Sequence, residues 1–217
     1  MNSNFKKIIN DLALSLKKVD SRKPVYQSAR GQKKIYQPGI GPHPETKTIE
    51  LVVTEMKESN LDFYKHTTME KPYPKGERNQ WDFNKNLISA ETGRKKCDLE
   101  FVLKDETIYS EVKMMRIMGD NGKPNDNIFT HIFSPYPVQN SALTDGIKLL
   151  NSNFEGLKSI IIYGYDYEKL PLINTIELFE LIGKEFFSLS ERYSSSFQDL
   201  VHPIHQRGQV FGWIITK

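Results

Sequence analysis

The stretch DLEFVLKDETIYSEVK, residues 98–113, decides the fold expected for this chain. Polar and apolar residues alternate in both halves, and charged residues separate the halves, which is typical of two half-buried strands joined by a turn. The pattern therefore predicts a β-hairpin. Because alternate residues of a strand leave it on the same face, Glu111 and Lys113 share one face while Val112 points into the core.

The length of the turn decides which residues of the two strands face each other. A two-residue turn at 105–106 sets Asp98 opposite Lys113, and it sets Glu100 opposite Glu111. Such turns prefer a glycine, which is missing here, so a bulge or a longer loop would shift the pairing by one. The other face is expected to pack on helices, because it carries Leu99, Phe101, Leu103, Ile108, Val112 and Met114.

Two carboxylates beside a lysine on one sheet face indicate a metal site. Like charges a few ångströms apart repel each other, and a divalent cation compensates them. Hard oxygen ligands, few in number, suit Mg²⁺, with Mn²⁺ as a substitute. The metal would activate a water and neutralise a phosphate, while the ammonium group of Lys113 orients that water or stabilises developing charge.

Asp98, followed by Glu111-Val112-Lys113, resembles the D…(D/E)-x-K signature of the PD-(D/E)XK superfamily of nucleases, which has the restriction-endonuclease-like fold. The resemblance implies that Asp98 and Glu111 hold the metal, together with the backbone carbonyl of Val112. It also implies that Lys113 acts on the attacking water. Cys97 stands where the name of the motif has proline, a position that varies in the family.

The triplet [DE]-x-K by itself is a loose pattern. It occurs at Glu45, Glu55 and Glu111. Only Glu111 lies in an apolar strand pattern with an aspartate in the strand before it, whereas the other two fall in a helical pattern. The hairpin is therefore the predicted site.

Further candidate residues surround the predicted site. Some family members add an acidic residue from the helix before the sheet, and Glu50 fits because it lies off the apolar stripe; the alternative is a solvated helix residue. Arg94, Lys95 and Lys96 are candidate contacts to backbone phosphates, or else a solvated charge run. Gln139, at the start of the next predicted helix, is a candidate to reach the site, as a polar residue there can in similar nucleases, or else a helix-capping or surface amide.

The order of predicted elements matches the family core, which runs helix, three strands, helix, strand. We therefore expect an α/β fold with a restriction-endonuclease-like core over residues 45–166, in which helices flank a central mixed sheet. The matching elements are a helix at 45–58, a strand near 83–89, the hairpin at 98–113, a helix at 138–151 and a strand at 159–166.

Segments on either side of this core extend the single nuclease domain expected for residues 1–217. Residues 1–44 would form a basic N-terminal helix, at 4–18, and an irregular loop. Residues 167–217 would add a helix at 174–192 and a last strand at 210–216. Between the hairpin and the next helix, 116–137 is rich in Gly, Pro and Asn and predicts either a binding loop or simple flexibility.

Charge along the chain weakly favours nucleic acid as a partner. Residues 1–35 carry nine Lys or Arg against two Asp, and the net charge of +3 leaves −4 for the remainder. A basic first segment is drawn to phosphate, although a solvated helix face explains it equally well.

Other classes of protein have little support in the sequence. Cys97 is the single cysteine, and no apolar run approaches a membrane span, so a reducing cytoplasmic location without membrane association is expected. There is no Walker-type glycine loop and no G-x-S-x-G elbow. His202 and His205 are three residues apart, but without a third ligand they predict a metal site only weakly, and a turn before the last strand explains them as well.

The sequence thus predicts a Mg²⁺-dependent DNA endonuclease. A type II restriction endonuclease acting on double-stranded DNA as a homodimer is the form that the family resemblance implies. Three alternatives remain open: a repair or mobile-element nuclease, a catalytically inactive DNA-binding protein of the same fold, and a protein-interaction domain whose charged hairpin is incidental.

Overall fold

A mixed β-sheet with helices on both faces forms the framework of the protein. The structure is a computed structural model, and it describes residues 2–28, 33–74, 81–83, 86–88, 96–125, 129–136 and 139–217. The helices in these ranges are α1 (Ser3–Ser21), α2 (Glu45–Ser59), α3 (Leu61–Tyr64), α4 (Ala142–Leu150) and α5 (Leu172–Gly183). The strands are β1 (Thr67–Pro72), β2 (Trp81–Phe83), β3 (Asn86–Ile88), β4 (Lys96–Val102), β5 (Thr107–Met115), β6 (Leu157–Tyr165), β7 (Ser188–Leu189), β8 (Tyr193–Gln198) and β9 (Arg207–Thr216).

The sheet places the predicted hairpin near its centre. Within the described residues it has seven strands in the order β1-β4-β5-β6-β9-β7, and β8 also pairs with β9. Strands β4 and β5 are antiparallel, whereas β5 and β6 are parallel and are joined through α4. The expected α/β class with a mixed sheet between helices is therefore confirmed. None of the helices in the described ranges is both long enough and apolar enough to cross a membrane.

Strand β6 separates two hydrophobic cores, as a strand buried on both faces must. Ile161 and Tyr163 belong to the core beneath α1 and α2, while Ile160 and Ile162 belong to the core beneath α4 and α5. Residues of one strand alternate between the two faces of the sheet, which is why adjacent isoleucines enter different cores. The strand predicted at 159–166 is confirmed.

The helical predictions before the sheet also hold. The Asn2 side chain caps α1 by accepting a hydrogen bond from the backbone N–H of Phe5 at 2.8 Å. Phe5, Leu12 and Leu16 are buried on the face that packs against the sheet. Helix α2 begins at Glu45, directly after Pro44, in agreement with the predicted helix at 45–58.

The hairpin forms, but its predicted pairing is wrong. Residues 103–106 make a four-residue turn, closed by a hydrogen bond of 2.9 Å from the N–H of Leu103 to the carbonyl of Glu106. Leu99 consequently pairs with Ser110, and not with Val112. A shift by two residues leaves each side chain on its predicted face, because side chains alternate with a period of two.

The first strand of the main sheet is β1 at residues 67–72, and not the strand predicted near 83–89. Strands β2 and β3, in that predicted region, form a separate two-stranded sheet. Strand β1 lies at the edge of the main sheet, where Pro72 is tolerated because an edge strand has an unpaired side. Three of its six residues are exposed and only Thr67 is buried. Its sequence, TTMEKP, has no alternation of apolar and polar residues that would indicate a strand.

Two helices differ in length from their predictions. Helix α4 begins at Ala142 and not at 138, because the hydroxyl of Ser141 caps it by accepting from the N–H of Thr144 at 3.2 Å. Helix α5 ends at Gly183 and not at 192. The N–H of Phe187 bonds back to the carbonyl of Gly183 at 3.0 Å, and the chain then turns into β7 and β8.

The long loop predicted at 116–137 carries local structure in its described parts. Met118 and Pro124 form an isolated β-bridge, and residues 129–133 form a π-helical turn. The segment after α1 also contains local structure. Gln27 and Ile35 form a β-bridge, and backbone hydrogen bonds on either side of it make residues 26–28 and 34–36 a short two-stranded ribbon.

Candidate active site

The hairpin brings Asp98, Glu111 and Lys113 together. The Asp98 carboxylate accepts a hydrogen bond of 2.8 Å from the backbone N–H of Val112, the residue between Glu111 and Lys113. Asp98 is partly exposed, whereas Glu111 is buried. The negative charge of Asp98 helps to raise the pKa of both Glu111 and Lys113, which places the three side chains in one electrostatic cluster.

Glu111 is the most buried acid of this cluster, with 2% of its surface exposed. The Tyr73 hydroxyl donates a short hydrogen bond to Oε1 of Glu111, and Nζ of Lys148 lies 3.2 Å from the same oxygen. Burial raises the pKa of Glu111 well above its ordinary value, although Lys148 opposes the shift. The ionised form of this carboxyl therefore needs more positive charge than Lys148 supplies.

Lys113 is held by an aspartate that sequence analysis did not single out. Nζ of Lys113 lies 2.6 Å from Oδ2 of Asp145, and Nζ of Lys148 lies 2.7 Å from Oδ1 of the same residue. Burial opposes ionisation of Asp145, but the two lysines overcome it and lower the pKa of this carboxyl. We call the set of Glu111, Lys148, Asp145 and Lys113 the α4 ion-pair network.

A signal for this network is present in the sequence. Asp145 and Lys148 are three residues apart, the spacing of neighbours on one helix face, yet they lie among the apolar residues of a largely buried helix. Buried charges of that kind need partners from another element. Gln139, the residue predicted to reach the site from this helix, is exposed and precedes α4, with its N–H bonded to the carbonyl of Tyr136.

The acid contributed by the helix before the sheet is Glu45 and not Glu50. The Glu45 carboxylate accepts a short hydrogen bond from the backbone N–H of Met114, next to Lys113. Glu50 is exposed and pairs with Lys47 at 2.8 Å. Five residues turn a helix by about 140°, so the two glutamates leave α2 in different directions. The predicted metal role of Glu50 finds no support in this placement.

The pKa of Glu45 is also shifted. Burial raises the pKa of Glu45 from its ordinary 4.5 to about 7, although Lys113 and the N–H of Met114 oppose the shift. When all six groups are ionised, the carboxylates of Glu45, Asp98, Glu111 and Asp145 outweigh Lys113 and Lys148 by two charges. A single divalent cation would balance that excess.

The pKa of Glu45 predicts a pH-dependent stability. Between pH 4.5 and about 7 the folded protein keeps a proton on Glu45 that the unfolded chain has released, so stability falls as pH rises through this range. Glu45→Gln removes this term and should stabilise the metal-free protein at pH 8 by about 1–2 kcal/mol, after a discount for the partial exposure of the side chain.

Urea unfolding of both proteins in EDTA, at pH 5 and pH 8, measures this effect. Glu111 contributes a slope of the same sign in both proteins, so the difference between them isolates Glu45. Equal stability differences at the two pH values would contradict the assignment. Glu50→Gln is the matched control, because that glutamate is exposed on the same helix and should show no such difference.

The basic residues before Asp98 are only partly described. Lys96 is exposed and pairs with Glu70 at 2.7 Å, while Arg94 and Lys95 lie outside the described residues. Glu100, which was predicted to face Glu111, is buried and pairs with Lys71 of β1 at 2.9 Å. It is therefore already compensated by a lysine.

A polar cavity adjoins the cluster, with a volume of about 310 Å³. Glu45 and Lys113 line one part of it, and Arg116, Asn125 and His131 line another. Scanning the chain against protein-family models, curated proteins and solved structures gave no match. Function must therefore be inferred from the site itself, since many functions share a given fold.

The donor types of this site suit a magnesium ion, although among the described residues these carboxylates do not lie close enough together to share one in the metal-free structure. Asp98, Glu111 and Glu45 offer carboxylate oxygens, the hard ligands that Mg²⁺ prefers. Burial raises the pKa of the Glu45 and Glu111 carboxyls, and a bound cation would favour their ionised forms. The combination of carboxylates, a lysine and a polar cavity suits hydrolysis of a phosphate ester.

Proposed function

We propose that this protein is a Mg²⁺-dependent DNA endonuclease of the PD-(D/E)XK type. The observation that carries the proposal is the cluster of Asp98, Glu111 and Lys113 beside Glu45, in which four carboxyl groups, with Asp145, meet only two lysines, with Lys148. A purely structural ion-pair cluster would be expected to balance its charges internally, because buried uncompensated charge is costly.

The order of elements supports the same proposal. Helix α2 is followed by the sheet strands β1, β4 and β5, then by α4, and then by β6 parallel to β5. This is the order helix, three strands, helix, strand of the restriction-endonuclease-like core. We therefore propose that residues 45–166 are that core, with the other segments added to it.

Each residue of the cluster has a role in the proposed reaction. Asp98, Glu111 and Glu45, with the backbone carbonyl of Val112, would hold Mg²⁺, with Mn²⁺ as a substitute. The bound ion supplies Lewis acidity and lowers the pKa of a water molecule. Lys113 orients the attacking water and stabilises the negative charge that develops on the phosphate oxygens.

Two further side chains position these groups without touching the substrate. Asp145 holds the ammonium group of Lys113 at 2.6 Å, which fixes the long lysine side chain in one direction. Tyr73 donates its hydroxyl proton to Glu111, and this hydrogen bond orients the carboxylate. Both contacts come from elements outside the hairpin, so the site depends on packing of β5 against its neighbours.

The ribbon at 26–28 and 34–36 supports DNA as the substrate. Lys23, Lys33 and Lys34 are exposed on or beside it, where they can contact phosphates. One end of the ribbon contacts the chain just before α2: the ring of Tyr26 lies 5.4 Å from that of His43, two residues before Glu45. Duplex DNA bound along this basic segment would reach the cavity beside Glu45.

Removing positive charge from the ribbon should weaken binding to DNA of any sequence. For Lys33→Ala combined with Lys34→Ala, we expect the slope of log K against log salt to become shallower by about 2, because each lost phosphate contact removes about one unit. Fluorescence anisotropy with a labelled duplex in Ca²⁺ measures this slope. Lys184→Ala, which removes an exposed lysine after α5, is the control, and an equal slope in all three proteins would contradict the assignment.

A type II restriction endonuclease that acts as a homodimer is the form we propose, because one site cuts one strand and double-strand cleavage needs two sites. The proposed homodimer is tested by light scattering at micromolar concentration. A substrate panel with mapped cut sites separates restriction-type cleavage at one sequence from the structure-directed cleavage of a repair or mobile-element nuclease.

The α4 ion-pair network favours one alternative, a DNA-binding protein of this fold that does not cleave. Lys148 already pairs with Glu111, and Asp145 already pairs with Lys113, so the central residues of the motif have partners without a metal. Incubation of supercoiled plasmid with protein and Mg²⁺ distinguishes the two functions. Nicked or linear products that disappear in EDTA support the endonuclease, and a gel shift without cleavage supports the alternative. If the protein neither cleaves nor shifts DNA, both functions are contradicted.

A further inference from the structure

Asp120 meets two buried histidines where two loops distant in sequence touch. Asp120 lies in the loop after β5, whereas His202 and His205 lie in the loop between β8 and β9. Both imidazole rings are 0% exposed, and they stack with their centroids 4.5 Å apart. The third ligand missing from the sequence pattern is thus supplied by the fold.

We propose that Asp120, His202 and His205 form a binding site for a divalent cation of the Zn²⁺ class, separate from the carboxylate and lysine site. One donor atom from each residue lies within 4.8 Å of the other two. Two imidazole nitrogens and one carboxylate oxygen suit Zn²⁺ or Co²⁺ better than Mg²⁺, which prefers oxygen ligands alone. Asp120 is 18% exposed, so water can reach a fourth position.

The distances fit a site close to its metal-bound geometry. Oδ1 of Asp120 lies 2.9 Å from Nε2 of His205 and 4.0 Å from Nε2 of His202. With metal–ligand bonds of about 2.0–2.1 Å, neighbouring donors of a tetrahedral site are about 3.3 Å apart. These two distances lie on either side of that value, and the donor atoms of the two histidines lie within 4.8 Å of each other, so movement of side chains without rearrangement of the loops would form the site.

The surroundings prepare both histidines for this role. Nδ1 of His205 lies 2.6 Å from the Tyr167 hydroxyl, which can accept a hydrogen bond from Nδ1–H when a metal displaces the proton that Nε2 donates to Asp120. Nε2 of His202 is buried and has no hydrogen-bond partner among the described residues. Gly41 covers the pair, since a Cβ added there would lie 2.6 Å from Cδ2 of His205.

Two contacts oppose binding and set the expected affinity. Nδ1 of His202 accepts from the N–H groups of Ile204 and His205 at 3.2 and 3.3 Å, and coordination through Nε2 would move the ring proton to Nδ1 and disrupt these long hydrogen bonds. Nη1 of Arg116 lies 3.7 Å from the Asp120 carboxylate and repels a cation. We therefore expect a dissociation constant on the order of micromolar, weaker than in sites with prepared partners.

A bound cation would join the loop after β5 to the loop before β9. Because it binds the folded state, it should raise Tm by about 5 °C at a hundredfold excess over the dissociation constant. The proposed site is independent of the proposed nuclease function, since its ligands include none of the residues that would bind Mg²⁺. Its test therefore uses the metal alone, without DNA.

Equilibrium dialysis against Zn²⁺, with excess Mg²⁺ to occupy the oxygen-rich site, tests the proposal. The unsubstituted protein should bind one Zn²⁺, and Asp120→Asn and His202→Gln should each weaken binding by at least tenfold and remove the rise in Tm. His66→Gln, which replaces an exposed histidine, should bind normally. Absence of binding to the unsubstituted protein, or equal affinity in all variants, overturns the proposal.

A second measurement covers the case in which a variant fails to fold. Titration of the unsubstituted protein with Zn²⁺, followed by NMR of the histidine side chains, should shift the signals of His202 and His205 together. His66 and His131 are exposed and should show little change at the first equivalent. Binding that shifts the exposed histidines while leaving the buried pair unchanged would overturn the assignment.

Discussion

Replacing Asp98 by asparagine should lower Mg²⁺-dependent cleavage of plasmid DNA by about 10²–10³-fold or more. Asparagine can still accept the hydrogen bond from the N–H of Val112 through its amide oxygen, so the local backbone should keep its conformation. What is lost is one negative charge and one oxygen ligand for the metal. Losses of this size are typical when a single group that stabilises the transition state is removed.

Lys113→Ala should cause a loss of the same order for a different reason. The variant keeps the carboxylate ligands, so it should still bind Mg²⁺ and DNA, while turnover falls because the ammonium group is missing. Single-turnover cleavage and anisotropy binding in Ca²⁺ separate these effects. Glu50→Gln is the matched control, because this exposed glutamate pairs only with Lys47 in the described structure and should cleave at the normal rate.

The result that would contradict the site assignment is plain. If Asp98→Asn, Lys113→Ala and Glu50→Gln all cleave DNA at the rate of the unsubstituted protein, the activity belongs to another part of the chain or to a contaminant. If both site variants lose cleavage but retain far-UV circular dichroism and Tm, the loss is chemical. Tm is needed beside activity because Lys113 also pairs with buried Asp145.

The faces of the hairpin were predictable from sequence, whereas its pairing was not. Side-chain direction follows from the period of two in a strand, so Leu99, Ile108 and Val112 reach the core as predicted. Pairing depends on turn geometry, and the turn at residues 103–106 has no glycine to mark its type. An even shift kept Leu99, Ile108 and Val112 on the predicted face, and Glu111 and Lys113 on the other, although the pairing was wrong.

Strand β1 was not predictable from the sequence because it forms by pairing with β4 in the folded protein. Residues 67–72 show no regular apolar alternation, and what makes them a strand is the row of hydrogen-bonding groups on β4. Edge strands with one solvated side often lack a clear pattern for this reason. The short elements after α5 follow the same logic, since β7 and β8 exist as strands only along β9.

The charged residues that surround the hairpin were likewise only partly predictable from the sequence. The triplet at Glu45 falls in a helical pattern and does not single out that residue, whereas Glu50 is the predicted acid because it lies off the apolar stripe. Which residue of a helix meets a distant strand depends on the packing of that helix, and sequence alone does not give it. Glu45 is the first residue of α2, directly after Pro44, and in the folded chain its carboxylate meets the N–H of Met114 of β5.

Asp145→Ala should be the most destabilising change at the site, by about 3 kcal/mol. The carboxylate is 4% exposed and lies 2.6 Å from Lys113 and 2.7 Å from Lys148, so its removal leaves two ammonium groups with less compensation. Removing one partner of a buried pair typically costs about 3–5 kcal/mol, and the partial exposure of both lysines favours the lower end. Urea unfolding gives the loss directly.

A double-mutant cycle shows whether the network causes this loss. Lys148→Met keeps the aliphatic stem and removes one of the two ammonium groups that lose a partner, and Glu111, which pairs with Lys148 at 3.2 Å, can take up a proton because burial raises its pKa, so the combination with Asp145→Ala should recover part of the stability. Comparing Asp145→Ala with the double variant also separates the effect on stability from the effect on cleavage. Because Lys113 loses its 2.6 Å partner in both proteins, restored stability should not restore cleavage. If Asp145→Ala unfolds within about 0.5 kcal/mol of the unsubstituted protein and cleaves DNA normally, the α4 ion-pair network neither supports the fold nor positions Lys113.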